Sequence, residues 1–155
     1  MTLELQNIWP TTTPVTARAS AALAAASAYD AAPTEFATAS VQYIQFFITY
    51  TRAGAGGAVS MRVELSPYSA DIVGVEDWFR HSCVACGQMS SGADTTQSAQ
   101  RATVVYGSTG AGAEMFVWPA EPLLLGGMVE RMRVACAETG AAGTPGTVHI
   151  VAVMA

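Results

Sequence analysis

The strongest constraint on the fold is a two-residue alternation of apolar side chains that recurs on either side of a glycine-rich break. From Ile44 to Tyr50 the even positions are apolar (Ile44, Phe46, Ile48, Tyr50). From Val59 to Leu65 the odd positions are (Val59, Met61, Val63, Leu65), with Ser60, Arg62 and Glu64 between them. Successive side chains of a strand point to opposite faces, so each run predicts a strand with one buried face. Between the runs lies Arg52-Ala53-Gly54-Ala55-Gly56-Gly57, whose glycines can take the positive φ angles of a tight reversal. The expectation is a long β-hairpin.

The same reading extends along the chain. Arg101–Tyr106 reads as a strand, 107–112 as a turn and Glu114–Trp118 as its partner, a second hairpin. Met132, Val134 and Cys136 alternate, residues 139–146 turn, and Val148 and Ile150 alternate with His149 and Val151, which predicts a third. Pro119, Pro122, Gly126 and Gly127 interrupt the piece between them, so Leu123-Leu124-Leu125 is expected as a connection tucked onto the core. Ser66–Asp71 is a turn by composition, Trp78-Phe79-Arg80 a short strand, and 87–100 a polar surface loop. Residues 15–32 are mostly Ala, Ser and Thr around Leu23 and Tyr29. Alanine favours helix; the scattered serines and the surrounding β pattern favour an extended strand, which is the expectation. Residues 1–14, with Leu3, Leu5, Ile8 and Trp9, cannot form a core alone and read as an arm ordered against a partner or the chain's own body. The chain of 155 residues fits one domain. The expected fold is therefore all-β: an extended arm over 1–14, then a single antiparallel β-sandwich or jelly roll of about eight strands over 15–155.

Charge narrows the function classes. Charged residues make up 12% of the chain, about half of what a solitary soluble domain carries, which suggests surface covered by a partner. All seven basic residues are arginines, they are dispersed, and the net charge is −5. No basic stripe can neutralise a phosphate backbone, so nucleic-acid binding is not expected. The lack of lysine argues against a Walker-type phosphate loop and a Schiff base; codon bias in a GC-rich genome accounts for the deficit equally well. Met1–Leu5 lacks the positive start and apolar core of a signal peptide. No run approaches the roughly 18 apolar residues of a membrane span, so no membrane partner is expected and assembly in a cytoplasm is.

No catalytic set converges. Cys83-Val84-Ala85-Cys86 supplies two of four zinc ligands, with His81 and Cys136 as conceivable others. A second knuckle is missing, and Cys136 sits in an alternating strand as a small buried residue. Thioredoxin-like redox use needs the CxxC at a helix start in a βαβ unit. The expectation is packing, with no metal and no cofactor. No Gly-x-Ser-x-Gly elbow is present, and His149 reads as a surface or interface residue of the last strand. Glu76-Asp77 are adjacent and point apart if extended, so they read as a solvated loop edge rather than a glycosidase pair. The Gly-x-Gly clusters near 54–57 and 107–112 open no helix and read as turns. Trp9, flanked by Pro10, suits either an anchor in a partner's pocket or intramolecular packing.

The pattern Ile48-Thr49-Tyr50-Thr51-Arg52, Gly56-Gly57, Arg62-Val63-Glu64-Leu65-Ser66-Pro67 and Trp78 resembles small jelly-roll proteins in virions of tailed bacteriophages. Arg131-Met132-Arg133-Val134, Glu138-Thr139-Gly140 and Pro145-Gly146-Thr147-Val148 resemble their last hairpin. Residues 81–100 have no counterpart in that pattern. The resemblance implies a structural, non-enzymatic virion protein. It would be a capsid decoration protein that binds the major capsid protein on the outer shell, and copies of itself, often as a homotrimer. Leu3, Leu5, Ile8 and Trp9 would then be the partner-binding residues. The alternative is a carbohydrate- or receptor-binding jelly roll of a tail or baseplate, with Tyr68, Trp78 and Tyr106 as stacking platforms.

Overall fold

A computed structural model of the chain describes residues 12–24, 28–53, 59–73, 77–80, 103–104, 112–138 and 144–155; residues 80, 103, 104, 112, 114, 116 and 118–123 are described by backbone alone. Among these residues there is no helix. The strands are β1 (Thr13–Ala22), β2 (Glu35–Ala37), β3 (Tyr43–Arg52), β4 (Val59–Ser66), β5 (Phe79–Arg80), β6 (Thr103–Val104), β7 (Gly112–Leu124), β8 (Arg131–Glu138) and β9 (Thr147–Met154). They form two antiparallel sheets. The first runs β1-β9-β3-β7; the second runs β2-β8-β4-β5, with β6 also on β4. The two short strands β5 and β6 meet opposite ends of β4, at Glu64–Leu65 and Val59–Ser60.

Strands β3 and β4 lie where the alternation placed them, but they are not a hairpin. β3 pairs with β7 and β9, and β4 with β8, β5 and β6. The other two expected hairpins are corrected in the same way. Thr103–Val104 bonds β4 while β7 bonds β3, and β8 bonds β2 and β4 while β9 bonds β1 and β3. Alternation says which face of a strand is buried and nothing about which strand lies beside it. Here the chain changes sheet between these strands, so the apolar faces of β3 and β4 oppose each other across the core instead of lying side by side.

Two boundaries also differ from expectation. β7 continues through Pro119 and Pro122 to Leu124, so Leu123 and Leu124 are strand residues and only Leu125 lies past its end. Among the described strands β7 pairs with β3 alone. A strand at an edge tolerates proline because its outward N–H groups need no ladder partner. The register shift between Ile44 and Phe46 absorbs the extra residues opposite them. β1 begins at Thr13, inside the segment read as arm, and the expected extension of residues 15–32 holds over 15–22. Leu3, Leu5, Ile8 and Trp9 lie outside the described residues, as do His81, Cys83, Cys86, Tyr106 and the polar section 87–100.

The core is one cluster shared by both sheets. Ile44, Phe46, Ile48 and Tyr50 of β3 and Val148, Ile150 and Ala152 of β9 meet Val59, Met61 and Val63 of β4 and Met132, Val134 and Cys136 of β8. Burying each of the larger side chains contributes about 1.5–3 kcal/mol before the cost of ordering it. Gly146 enters β9 under Tyr50: a Cβ there would stand 2.7 Å from Tyr50 Cε2 and 2.6 Å from the Thr51 carbonyl oxygen. Only glycine fits that approach. Gly126 and Gly127, at φ 63° and 70°, turn the chain between β7 and β8.

Candidate functional site

Three places gather side chains beyond ordinary packing: the outer face of the second sheet, two polar links in the interior, and the outer face of the first sheet.

On the second sheet, strand parity sends Arg62 and Glu64 of β4 and Arg131 and Arg133 of β8 outward, and the register sets Glu64 beside Arg133. The Glu64 carboxylate lies 2.7 Å from Arg62 Nε and accepts a 2.6 Å hydrogen bond from Arg133 Nε. Arg131 uses its whole fork. Its Nη1 donates to Glu35 of β2 at 2.8 Å and to Asp71 at 2.7 Å, Nη2 donates to Asp77 at 3.0 Å, and Nε donates to the Tyr68 carbonyl at 2.8 Å. Hydrogen bonds from Arg131 and with Asp77 hold the exposed Asp71 carboxyl below its ordinary range. The Trp78 ring lies against Arg133 and Arg131, 4.1 and 4.9 Å from their guanidinium carbons, a cation–π arrangement. At the other end Arg62 lies 4.6 Å over the Tyr29 ring. The Tyr29 hydroxyl shares a 2.9 Å hydrogen bond with Ser60.

This arrangement is a clamp. It fastens the 67–80 segment and β2 to β8, and it explains why Glu64 is 5% exposed although it faces away from the core. Asp77 is buried and paired here, which corrects its reading as a solvated loop edge; no local pattern announces that an arginine fifty-four residues later will meet it. Of the three aromatic candidates, Tyr68 and Trp78 converge on Arg131, and Tyr106 lies outside the described residues. An open depression of about 490 Å³ is lined by Pro67, Tyr68, Asp71, Ile72 and Glu130 among others.

The interior links are structural. Arg18 sits between two register shifts of β1. It forks onto Asp30 through Nε and Nη2 at 2.8 and 2.9 Å, and Nη1 donates to the Val148 carbonyl at 2.8 Å. The Asp30 hydrogen bond raises the Arg18 pKa, against burial. Asp30 also accepts from the Cys136 N–H at 2.9 Å, so it joins β1 of one sheet to β8 of the other. Nearby, the Tyr50 hydroxyl donates to both Glu138 oxygens, at 3.1 and 2.9 Å, and the Gly146 N–H donates to Oε2 at 3.0 Å. Glu138 is 3% exposed. Sequence reasoning passed over it, yet the signal was there: it continues the inward even-numbered series of Met132, Val134 and Cys136. Cys136 is fully buried, as its alternation predicts, and burial pushes its thiol up to about 12. Among the described residues no group of three or more His, Cys, Asp or Glu is placed to hold a metal ion.

The outer face of the first sheet is different in kind. One row crosses all four strands, Thr16 beside Val151, Val151 beside Phe47 and Phe47 beside Val117. The next sets His149 beside Thr49 and Thr49 beside Met115. Met115 is 83% exposed, Leu124 70%, and Tyr43, Phe47 and Val117 between 42% and 45%. Among the outward-facing side chains described on β1, β3, β7 and β9 there is no Asp, Glu or Arg. His149, expected as a surface or interface residue, lies half-buried on this face.

Comparison with protein-family models, with curated proteins and with solved structures finds no match.

Proposed function

We propose that this chain is a structural virion protein of jelly-roll architecture, a capsid decoration protein that binds the outer surface of a phage shell and associates with copies of itself. The observation that carries the reading is the strand order. Numbered along the chain, 1-9-3-7 in one sheet against 2-8-4 and a split fifth position in the other is the order produced when two Greek keys are rolled together. That architecture is used by viral capsid and lectin domains. The outer face of the first sheet, whose described side chains include no Asp, Glu or Arg and expose Phe47, Met115, Val117 and Leu124, supports an assembly role, because exposed apolar surface of that kind is costly to leave in water. The major capsid protein is the proposed partner, the virion the proposed location, and the N-terminal arm with Leu3, Leu5, Ile8 and Trp9 the proposed point of attachment.

The test is co-sedimentation with shells assembled from the major capsid protein of the same genome. Because β1 begins at Thr13, the informative truncation removes residues 1–11 and leaves that strand whole. The full chain is expected to pellet with shells and the truncated chain to stay in the supernatant with an unchanged β-type circular dichroism spectrum. Equal pelleting of both, or of neither, counts against the proposal. A second reading, a glycan-binding module of a tail, draws on the Trp78 ring held against Arg131 and on Tyr68, whose carbonyl binds the same arginine and which lines an open depression. Oligosaccharide binding abolished by Trp78→Ala would favour it over the first.

A further inference from the structure

We infer that the outer face of the first sheet is where a second copy of this chain packs, face against face about a two-fold axis. The inference rests on the self-association part of the proposal above and is separate from shell binding.

Three observations on this face point to a second copy. The first is charge. The outward side chains described on its four strands include no Asp, Glu or Arg, while the opposite sheet is covered with them. A partner bearing charge would have to desolvate it against Thr, Val and Phe without a counter-ion. An identical uncharged face meets no such cost. The second is size. Four strands about 4.8 Å apart and eight residues long at about 3.3 Å each give a flat area of about 500 Å². With side-chain relief added, that is of the order of the about 800 Å² each partner gives to a standard interface. A single strand-wide segment, about 4.8 Å across, would cover only about one strand in four of this face.

The third observation is shape. The most exposed apolar side chains lie on the β7 edge, where Met115 is 83% and Leu124 70% exposed, while the β1 edge contributes the smaller Thr16 to its row. A two-fold axis lying between the two faces and running along the strands sets the low β1 side of one copy against the high β7 side of the other. Two sheets of the same twist stack at about −30°, as the two layers of a sandwich do. A self-complementary contact of this kind is closed at two chains. A closed dimer differs from the three-fold assembly implied by the resemblance to phage decoration proteins.

The experiment is the solution mass of the full chain without shells, by light scattering coupled to size exclusion, for wild type, Phe47→Glu, Val151→Glu and Val73→Glu. Val73 is fully exposed outside this face. Wild type and Val73→Glu are expected at twice the 16.1 kDa chain mass, and the two face variants at the single-chain mass with unchanged circular dichroism. A monomeric wild type, a mass of three chains, or a dimer that survives both glutamates overturns the inference. So does a face variant that loses its β spectrum together with its dimer, unless the milder Phe47→Thr dissociates while folded. Shell co-sedimentation of the same variants reads the capsid proposal independently, so one can fail while the other stands.

Discussion

Cys136 shows how a single buried atom couples this fold to pH. Its thiol is held protonated by burial up to about 12, against 9.0 for an ordinary cysteine, with the nearby Asp30 carboxylate reinforcing the effect and Arg18 opposing it. Below pH 9 both folded and unfolded chains carry the proton, and the stability that goes with it is fully present. Above that value the unfolded chain releases the proton and the folded one keeps it, so stability falls as pH rises toward 12. The expected slope from this one group is about 1 kcal/mol per pH unit. Urea unfolding of wild type and Cys136→Ala between about pH 8 and 11 isolates it: the wild-type curve should fall more steeply by that amount. Parallel curves would show that the thiol ionises in place. The burial of Cys136 was legible in the sequence because it shares parity with Met132 and Val134. The Asp30 and Arg18 side chains that flank it were not, since Arg18 lies between register shifts that break the parity on which such a reading depends.

At the level of strands, the places where the chain extends were legible and the partners were not. Ile44–Tyr50, Val59–Leu65, Met132–Cys136 and Val148–Val151 are strands, and each buries the face its alternation marks. The three expected hairpins are absent because a glycine-rich connection permits a reversal within one sheet and a crossing between two equally well. What decides is the fit of whole sheets, a property of residues far apart in sequence, such as Arg18 and Val148, 130 positions from each other. The Arg18–Asp30 pair is the point at which β1 is secured to both sheets. Asp30→Ala leaves the guanidinium buried without its carboxylate, at a cost of about 3 kcal/mol. Hydrogen exchange should quicken first along Thr16–Ala22 while the β3 and β8 amides stay protected. Uniform acceleration across all strands would mean that β1 cannot open by itself.

For the molecule as a whole, the two sheet surfaces divide the labour. One is closed over by its own arginines, carboxylates, Tyr29 and Trp78; the other carries Phe47, Val117, Met115 and Leu124 into solvent. The low charge of the sequence pointed toward covered surface without saying where, because composition has no direction. Only strand register sorts the uncharged residues onto one side. The register also sets the order in which the chain can be built. β9 is flanked by β1 on one side and β3 on the other, so among the described strands β1 waits for β9 before it has a ladder partner. During synthesis β3 can already meet β7, and β4 can meet β8, while β1 stays without a strand partner until Thr147–Met154 has emerged. The first sheet should therefore close in one late step, when β9 inserts between β1 and β3.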